Sequence, residues 1–295
     1  MNSIKPTILL TGATGFLGSH LLKKLVSLDI YNLVVLKRSI SNTFRISEAI
    51  EKVQTYDLDK ISLETVFAHH KVDYILHCAT DYGRKNSPVQ LIIEANLLLP
   101  LKLLELGKQN GIKSFINTDT ILDKRINAYS LSKKQFKEWL NLSKNSLACV
   151  NIALEHFFGP GDDKTKFSSY IIDSLLRGVE SIDLTKGEQQ RDFIYIDDCV
   201  DAFLTIIDYV KNLTSGFYEF EIGTNQPVTI KDFVLLIKEL SGNTATVLNF
   251  GALPYRENEV MECRTNTEPI CKLGWAPKFS LKLGLLKTIE REKEL

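Results

Sequence analysis

The chain has 295 residues, 44% of them hydrophobic, with 36 basic side chains against 36 acidic ones. That length can bury a substantial core, as one large α/β unit or two modest domains. The balanced charge speaks against a nucleic-acid or membrane-surface binder, which would carry a clustered excess of Lys and Arg. The cysteines (78, 149, 199, 263 and 271) are odd in number and form no C-x-x-C pair, so neither a disulfide scaffold nor a zinc module is expected. His20, His69, His70 and His77 show no ligand spacing, and no metal is expected. The apolar start at residues 8–10 is cut by Thr11-Gly12, and no run approaches the roughly 20 apolar residues of a membrane span. A cytoplasmic protein is expected.

In chain order, short β-branched or aliphatic runs alternate with longer helix-period segments. Strands are predicted at 7–11, 33–36, 52–56, 72–77, 114–118 and 148–153, with helices at 16–28, 63–69, 88–108 and 129–144 between them. The alternation describes βαβ units, and continuous apolar strands describe a sheet covered on both faces. The expected fold is therefore α/β: a doubly wound parallel (Rossmann) sheet, occupying residues 1–155. From Gly159-Pro160-Gly161-Asp162-Asp163 onward the rhythm changes. Helices are predicted at 168–177, 197–210, 230–240 and 280–291, and strands at 181–184, 217–222 and 246–249. Residues 156–295 read as a smaller mixed α/β substrate domain, of which a part near 192–222 is expected to return to the main sheet.

Directly after the first strand comes Thr11-Gly12-Ala13-Thr14-Gly15-Phe16-Leu17-Gly18. Three glycines at this spacing give a tight turn, close backbone approach to a pyrophosphate, and close helix–strand packing. The helix that follows aims its free N–H groups and positive dipole end at the anion. At the end of the second strand, NAD binders place Asp or Glu against the ribose hydroxyls, whereas NADP binders place a cation near the 2′-phosphate. Here the residues are Lys37-Arg38-Ser39, which favours NADPH over NADH. The competing reading of Lys37-Arg38 is a solvated surface dipeptide.

Tyr129-Ser130-Leu131-Ser132-Lys133 puts Tyr129 and Lys133 one helical turn apart on one face. A free phenol titrates near pH ~10, too high for ready proton exchange at neutral pH. A neighbouring ammonium is expected to stabilise the phenolate and lower that value. A second Tyr-x-x-x-Lys, Tyr56 with Lys60, follows the third strand, away from the expected chemistry. Thr118, at the end of the fifth strand, is expected to direct its hydroxyl at the reacting oxygen.

Together these motifs resemble an extended short-chain dehydrogenase/reductase, of the nucleotide-sugar epimerase/dehydratase/reductase superfamily. The resemblance spans nearly the whole chain: the glycine turn at 11–18, Asp57-Leu58, His77-Cys78-Ala79, Asn96, Thr118, Tyr129/Lys133, Gly159-Pro160-Gly161-Asp162, the run Arg191-Asp192-Phe193-Ile194-Tyr195, and Leu273-Gly274-Trp275-Ala276-Pro277. It implies that Phe16, Leu17, Asp57, Leu58, Ala79, Thr80, Asn96 and Lys133 contact the dinucleotide. It implies that Arg191 and Arg256 hold the diphosphate of a nucleotide-sugar; surface or neighbouring ion pairs are the competing assignments. A homodimer through helices 88–108 and 129–144 is also implied, although their apolar faces could equally be core.

Departures from the pattern narrow the activity. Related 4,6-dehydratases carry Thr-Asp-Glu after the fifth strand, and this chain has Thr118-Asp119-Thr120, with the acid present and the base gone. Epimerase-reductases of the GDP-fucose synthase type carry cysteine where Thr120 stands. Only ten residues separate Thr118 from Tyr129, so one wall of the substrate pocket must be built differently from that of many relatives. Ala153-Leu154-Glu155-His156 stands where relatives have Arg-x-x-Asn, leaving His156 as a substrate contact or a core hydrogen-bonding residue. These compact runs resemble the CDP-abequose/CDP-paratose synthase branch. The reading is NADPH-dependent reduction of the C4 keto group of a CDP- or dTDP-linked 4-keto-6-deoxy or 4-keto-3,6-dideoxy sugar, serving surface polysaccharide. Thr118, Asp119, Thr120, His156, Arg191 and Arg256 would line the sugar-nucleotide. A nucleotide-sugar 4-epimerase is the alternative, and a non-catalytic NADP(H)-responsive regulator is the alternative of another class.

Overall fold

A computed structural model describes residues 5–84, 86–262 and 264–294, so Cys263 lies outside the described residues. The first six strands are β1 (Thr7–Thr11), β2 (Asn32–Lys37), β3 (Gln54–Asp57), β4 (Tyr74–His77), β5 (Ser114–Thr120) and β6 (Ala148–Leu154). With the strand Gly216–Ile222 they form a seven-stranded sheet in the order Gly216–Ile222, β6, β5, β4, β1, β2, β3. β1 runs parallel to both β2 and β4, β3 is parallel to β2, and β5 is parallel to β4. Every residue of β1, β4, β5 and β6 is buried, as the continuous apolar runs require. Chain order reverses between β1 and β4, where doubly wound sheets open a ligand crevice at the carboxyl ends of their strands. The ends of β1, β4 and β5 therefore lie side by side, and the residues just beyond them form the site.

The chain divides into two compact units. One holds everything up to Ala153 together with Phe203–Phe220, and the other holds Leu154–Ala202 and the chain from Glu221 onward. In the first unit, Leu9, Val34, Ile75, Leu103, Phe115, Phe136 and Leu140 form the buried core under the sheet. Several elements differ from the sequence expectation. β5 runs on to Thr120, so Asp119 and Thr120 are strand residues and not loop. The helix expected at 88–108 is interrupted: Val89–Ile93 is α-helical, Glu94–Leu98 forms a π-turn, and Leu99–Gln109 resumes the α-helix. Pro100 has no N–H to donate back into that turn, which loosens the ladder where Asn96 points inward.

In the second unit, His156–Phe158 pairs parallel with Phe193–Tyr195, Gln190–Arg191 pairs antiparallel with Val228–Thr229, and Ser181–Leu184 pairs parallel with Val247–Phe250. Phe193 stacks on Phe233 with ring centroids 3.7 Å apart. The Arg191-Asp192 and Leu273–Pro277 signatures hold this unit together. Asp192 accepts from the backbone N–H of Thr224 (2.7 Å) and of Asn225 (2.8 Å). Asp198 accepts from Lys278 (2.8 Å) and Phe279 (3.0 Å), and the Trp275 indole donates to the Asp198 carbonyl at 3.2 Å. No helix among the described residues is long and apolar enough to cross a membrane.

Candidate active site

The glycine turn has the geometry its spacing demands. Gly12 sits at φ 71°, and a Cβ there would lie 2.5 Å from the Ala79 nitrogen. A Cβ on Gly18 would lie 2.2 Å from the Gly12 carbonyl, so the helix Phe16–Leu28 packs against the turn only because residue 18 has no side chain. Gly15 differs, since a Cβ there meets only the Gly12 oxygen, at 3.2 Å; its open face leaves the amide backbone approachable. Gly15 N–H closes the turn on the Gly12 carbonyl at 3.0 Å. Phe16 and Leu17 begin the helix, and no side chain caps its first amides. This is an anion cradle of the kind expected for a pyrophosphate.

Behind the cradle, Thr11 Oγ1 accepts from the Ala79 N–H (3.2 Å) and lies 2.9 Å from His77 Nδ1, tying the ends of β1 and β4 together. Burial holds His77 well below its ordinary pKa, and its neutral ring packs against Phe115 and Phe136. It is a packing residue at the strand end. Cys78, Ala79 and Thr80 follow, half-buried, on the approach to Tyr129.

The helix Ala128–Leu142 is started by a capping box. Asn127 accepts from Ser130 N–H at 2.8 Å while the Ser130 hydroxyl accepts from Asn127 N–H. This cap fixes Tyr129 in the first turn, with Lys133 one turn on. Lys133 is 1% exposed, and its Nζ has no hydrogen-bond partner among the described residues. Burial lowers its pKa from 10.5 to about 8. A buried amine without a hydrogen-bond partner among the described residues, one helical turn from a phenol, fits the ribose of a bound nicotinamide dinucleotide.

The expected lowering of the Tyr129 pKa by Lys133 does not appear. Crowding around the half-buried Tyr129 pushes its phenol well above the ordinary value, and Tyr82 and Asp119 push the same way. The groups that pull it back are the neighbouring Thr120 hydroxyl and the Arg84 charge. Burial outweighs cation stabilisation here, which keeps the phenol in its proton-bearing form.

Thr118 is also corrected. Its hydroxyl donates to the His77 carbonyl at 3.0 Å and so braces β5 against β4, leaving Thr120 as the hydroxyl beside Tyr129. Asp119 is fully engaged: Lys134 pairs with it at 3.1 Å, Asn151 donates to it at 3.0 Å, and the Thr120 N–H donates at 2.7 Å. Asn96, expected at the dinucleotide, spends both amide protons on the Asp81 carbonyl (2.8 Å) and Ser132 Oγ (3.0 Å), and accepts from Asp81 N–H. It clamps the segment after β4 onto the Tyr129 helix.

At the far edge of the sheet, register sets Lys37 opposite Asp57, and the two form an ion pair that Lys60 joins at 3.3 Å. Asp57 is held below the ordinary carboxylate range by Lys37 and Lys60, and Leu58 packs on the core. Arg38 is exposed and makes no ion pair among the described residues. The second Tyr-x-x-x-Lys is no dyad: Tyr56 bonds His70 at 2.8 Å while Lys60 is with Asp57.

In the second unit, Arg191 donates to the Gln190 and Val260 carbonyls (2.6 Å each) and pairs with Glu259, the neighbouring-carboxylate alternative. Arg256 is exposed at a turn, its carbonyl accepting from Glu259 N–H. His156 is exposed, with Nδ1 3.0 Å from the buried carboxylate of Glu155 and its ring against Phe193. Tyr82 and Arg84 were missed by sequence reasoning. The available signal was the short 118–129 connection, which had to be compensated by another segment.

The model of the NAD dependent epimerase/dehydratase family matches residues 8–223. A CDP-abequose synthase of Salmonella muenchen is 34% identical over 302 residues, covering 99% of this chain and 100% of that protein. One from Yersinia pseudotuberculosis is 28% identical, covering 86% of this chain and 90% of the relative. Among solved structures, a UDP-glucose 4-epimerase of Thermotoga maritima with UDP-glucose superposes with a TM-score of 0.83 at 25% identity, covering 98% and 99% of the two chains.

Proposed function

We propose that this chain, which belongs to the NAD-dependent epimerase/dehydratase family, reduces the C4 carbonyl of a nucleotide-linked keto sugar with NADPH. The sugar is a 4-keto-6-deoxy or 4-keto-3,6-dideoxy hexose carried on CDP or dTDP. One observation carries the reading: a proton-bearing Tyr129 stands one helical turn from a buried, unpartnered Lys133, in a chain 34% identical along its length to CDP-abequose synthase.

The nicotinamide nucleotide supplies the hydride when bound. The Gly12–Gly15 turn and the amides of Phe16, Leu17 and Gly18 would cradle its pyrophosphate, and the Lys133 amine would hold the ribose nearest the reacting ring. With Lys37 committed to Asp57, Arg38 would meet the 2′-phosphate. Tyr129 would give its proton to the sugar O4, and the Thr120 hydroxyl would keep the phenol aimed. Since Arg191 is engaged with Glu259, Arg256 and His156 are the side chains left for the diphosphate and sugar.

The test is an assay of the purified protein with NADPH or NADH against CDP- and dTDP-4-keto sugars. Stoichiometric NADPH oxidation with a CDP-linked substrate is expected. Arg38→Ala should reduce the preference for NADPH over NADH about tenfold, the loss of one charge-assisted phosphate contact. No turnover with any keto sugar would defeat the reading. The likeness to the UDP-glucose 4-epimerase structure favours 4-epimerisation as the second reading; interconversion of sugars without net NADPH consumption would identify it.

We further propose a homodimer through the helix Ala128–Leu142, where Leu131 (42%), Trp139 (51%) and Leu142 (74%) leave an apolar stripe exposed. Sedimentation should give the dimer mass, and Leu142→Glu together with Trp139→Glu should give monomer; a monomeric parent protein would refute it.

A further inference from the structure

Only ten residues separate Thr118 from Tyr129, and the ring packed on Tyr129 comes from the segment after β4. Asp81 anchors that segment. Asp81 accepts from Gly83 N–H and from Ser87 Oγ, both at 2.8 Å, and Asn96 grips the Asp81 backbone on both sides. Gly83 takes φ 68°, which turns the chain so that Tyr82 and Arg84 project together. The Tyr82 ring lies 5.0 Å from the Tyr129 ring at 42°, and the Arg84 guanidinium sits 4.7 Å over the Tyr82 ring.

We propose that Arg84, held over the ring of Tyr82, is a positioning residue for the reduction: it adds to Lys133 a second positive charge, one ring away from Tyr129, as the phenol gives up its proton. The inference rests on the reading of Tyr129 as proton donor. As the Tyr129 O–H bond breaks, the proton forms the new O–H bond on the sugar O4, and the phenolate left behind needs a counter-charge. The groups around Tyr129 leave few candidates. Asp119, from β5, is negative and opposes the phenolate, though Lys134 compensates it. Thr120 is neutral, and Tyr82 contributes an aromatic wall. Lys133, one helical turn away on the same helix, supplies one positive charge on that side of the phenol. Arg84 is a second cation, whose charge also favours the ionised phenol and whose guanidinium lies over the Tyr82 ring.

The experiment compares Arg84→Gln, Arg84→Lys and Tyr82→Leu with the parent enzyme. Arg84→Gln should lower kcat about tenfold while KM stays within about twofold, because the charge acts on the transition state and not on sugar binding. Arg84→Lys should recover most of the loss, and Tyr82→Leu, which removes the ring under the guanidinium, should fall between. A second readout needs no substrate: the ultraviolet titration of Tyr129, isolated as the difference between the parent and Tyr129→Phe. Removing a cation destabilises the phenolate, so Arg84→Gln should move the onset of that ionisation to higher pH. An unmoved onset, or a loss confined to KM, overturns the proposal. A moved onset in a protein that reduces no keto sugar would uphold the Arg84–Tyr129 coupling and sink the proposed function.

Discussion

Replacing Tyr129 with Phe is expected to lower kcat by about 10²- to 10⁴-fold, the range measured when a positioned general acid is removed. The ring stays, so its contact with Tyr82 stays, and only the hydroxyl is lost. Deleting one half-buried hydroxyl costs about 1 kcal/mol at most, so the variant should fold and melt close to the parent. NADPH affinity, followed by quenching of nucleotide fluorescence, should change little, since the cradle and Lys133 are untouched. The raised phenol pKa gives the prediction a pH arm. In the reducing direction the protonated phenol is the active form, so parent turnover should hold flat from neutral pH into the mildly alkaline range, with no fall attributable to Tyr129 below its ordinary value. Near-parent turnover by Tyr129→Phe would remove the phenol from the reaction and leave Thr120 or solvent as proton source.

What the sequence revealed and what it concealed divide along a physical line. The glycine turn was legible because each glycine answers a local backbone demand: φ at Gly12, an open face at Gly15, a carbonyl 2.2 Å away at Gly18. The Tyr129–Lys133 face was legible because helical spacing places residues four apart together. The parallel sheet class followed from the alternation of strands and helices. Hydrogen bonds between elements distant in sequence were not legible. Thr118 turns to the His77 carbonyl across 41 positions, Lys37 meets Asp57 because β2 and β3 pair in that register, and Arg191 meets Glu259 far downstream. The sign of the Tyr129 shift was misjudged for the same reason: spacing reports a neighbouring cation but not how much protein surrounds the hydroxyl. Asn96 shows how a family position can act at one remove, since its amide holds in place the segment that carries Tyr82 and Arg84.

Lys133→Met should make the protein more stable and nearly inactive at once. Its ammonium is buried without a hydrogen-bond partner among the described residues, and burial lowers the amine from 10.5 to about 8. Between those two values the unfolded chain binds more protons than the folded one, so stability rises with pH across that window. Below pH 8 both states carry the charge and the folded state bears the whole desolvation cost, about 3 kcal/mol for a displacement of this size; above 10.5 both are neutral and the cost is gone. Methionine fills a similar volume without a charge. Measured on protein stripped of nucleotide, Lys133→Met should therefore raise Tm by several degrees at pH 7, and the gain should shrink toward zero as pH passes 10. NADPH affinity and kcat should each fall, with kcat/KM down about 10²-fold or more, because the amine that would hold the ribose is gone. Such opposite movements are the signature of a group kept for binding at the expense of stability. A Met variant that melts lower than the parent at pH 7 while binding NADPH equally well would show that Lys133 serves packing, and the dyad would lose its second member.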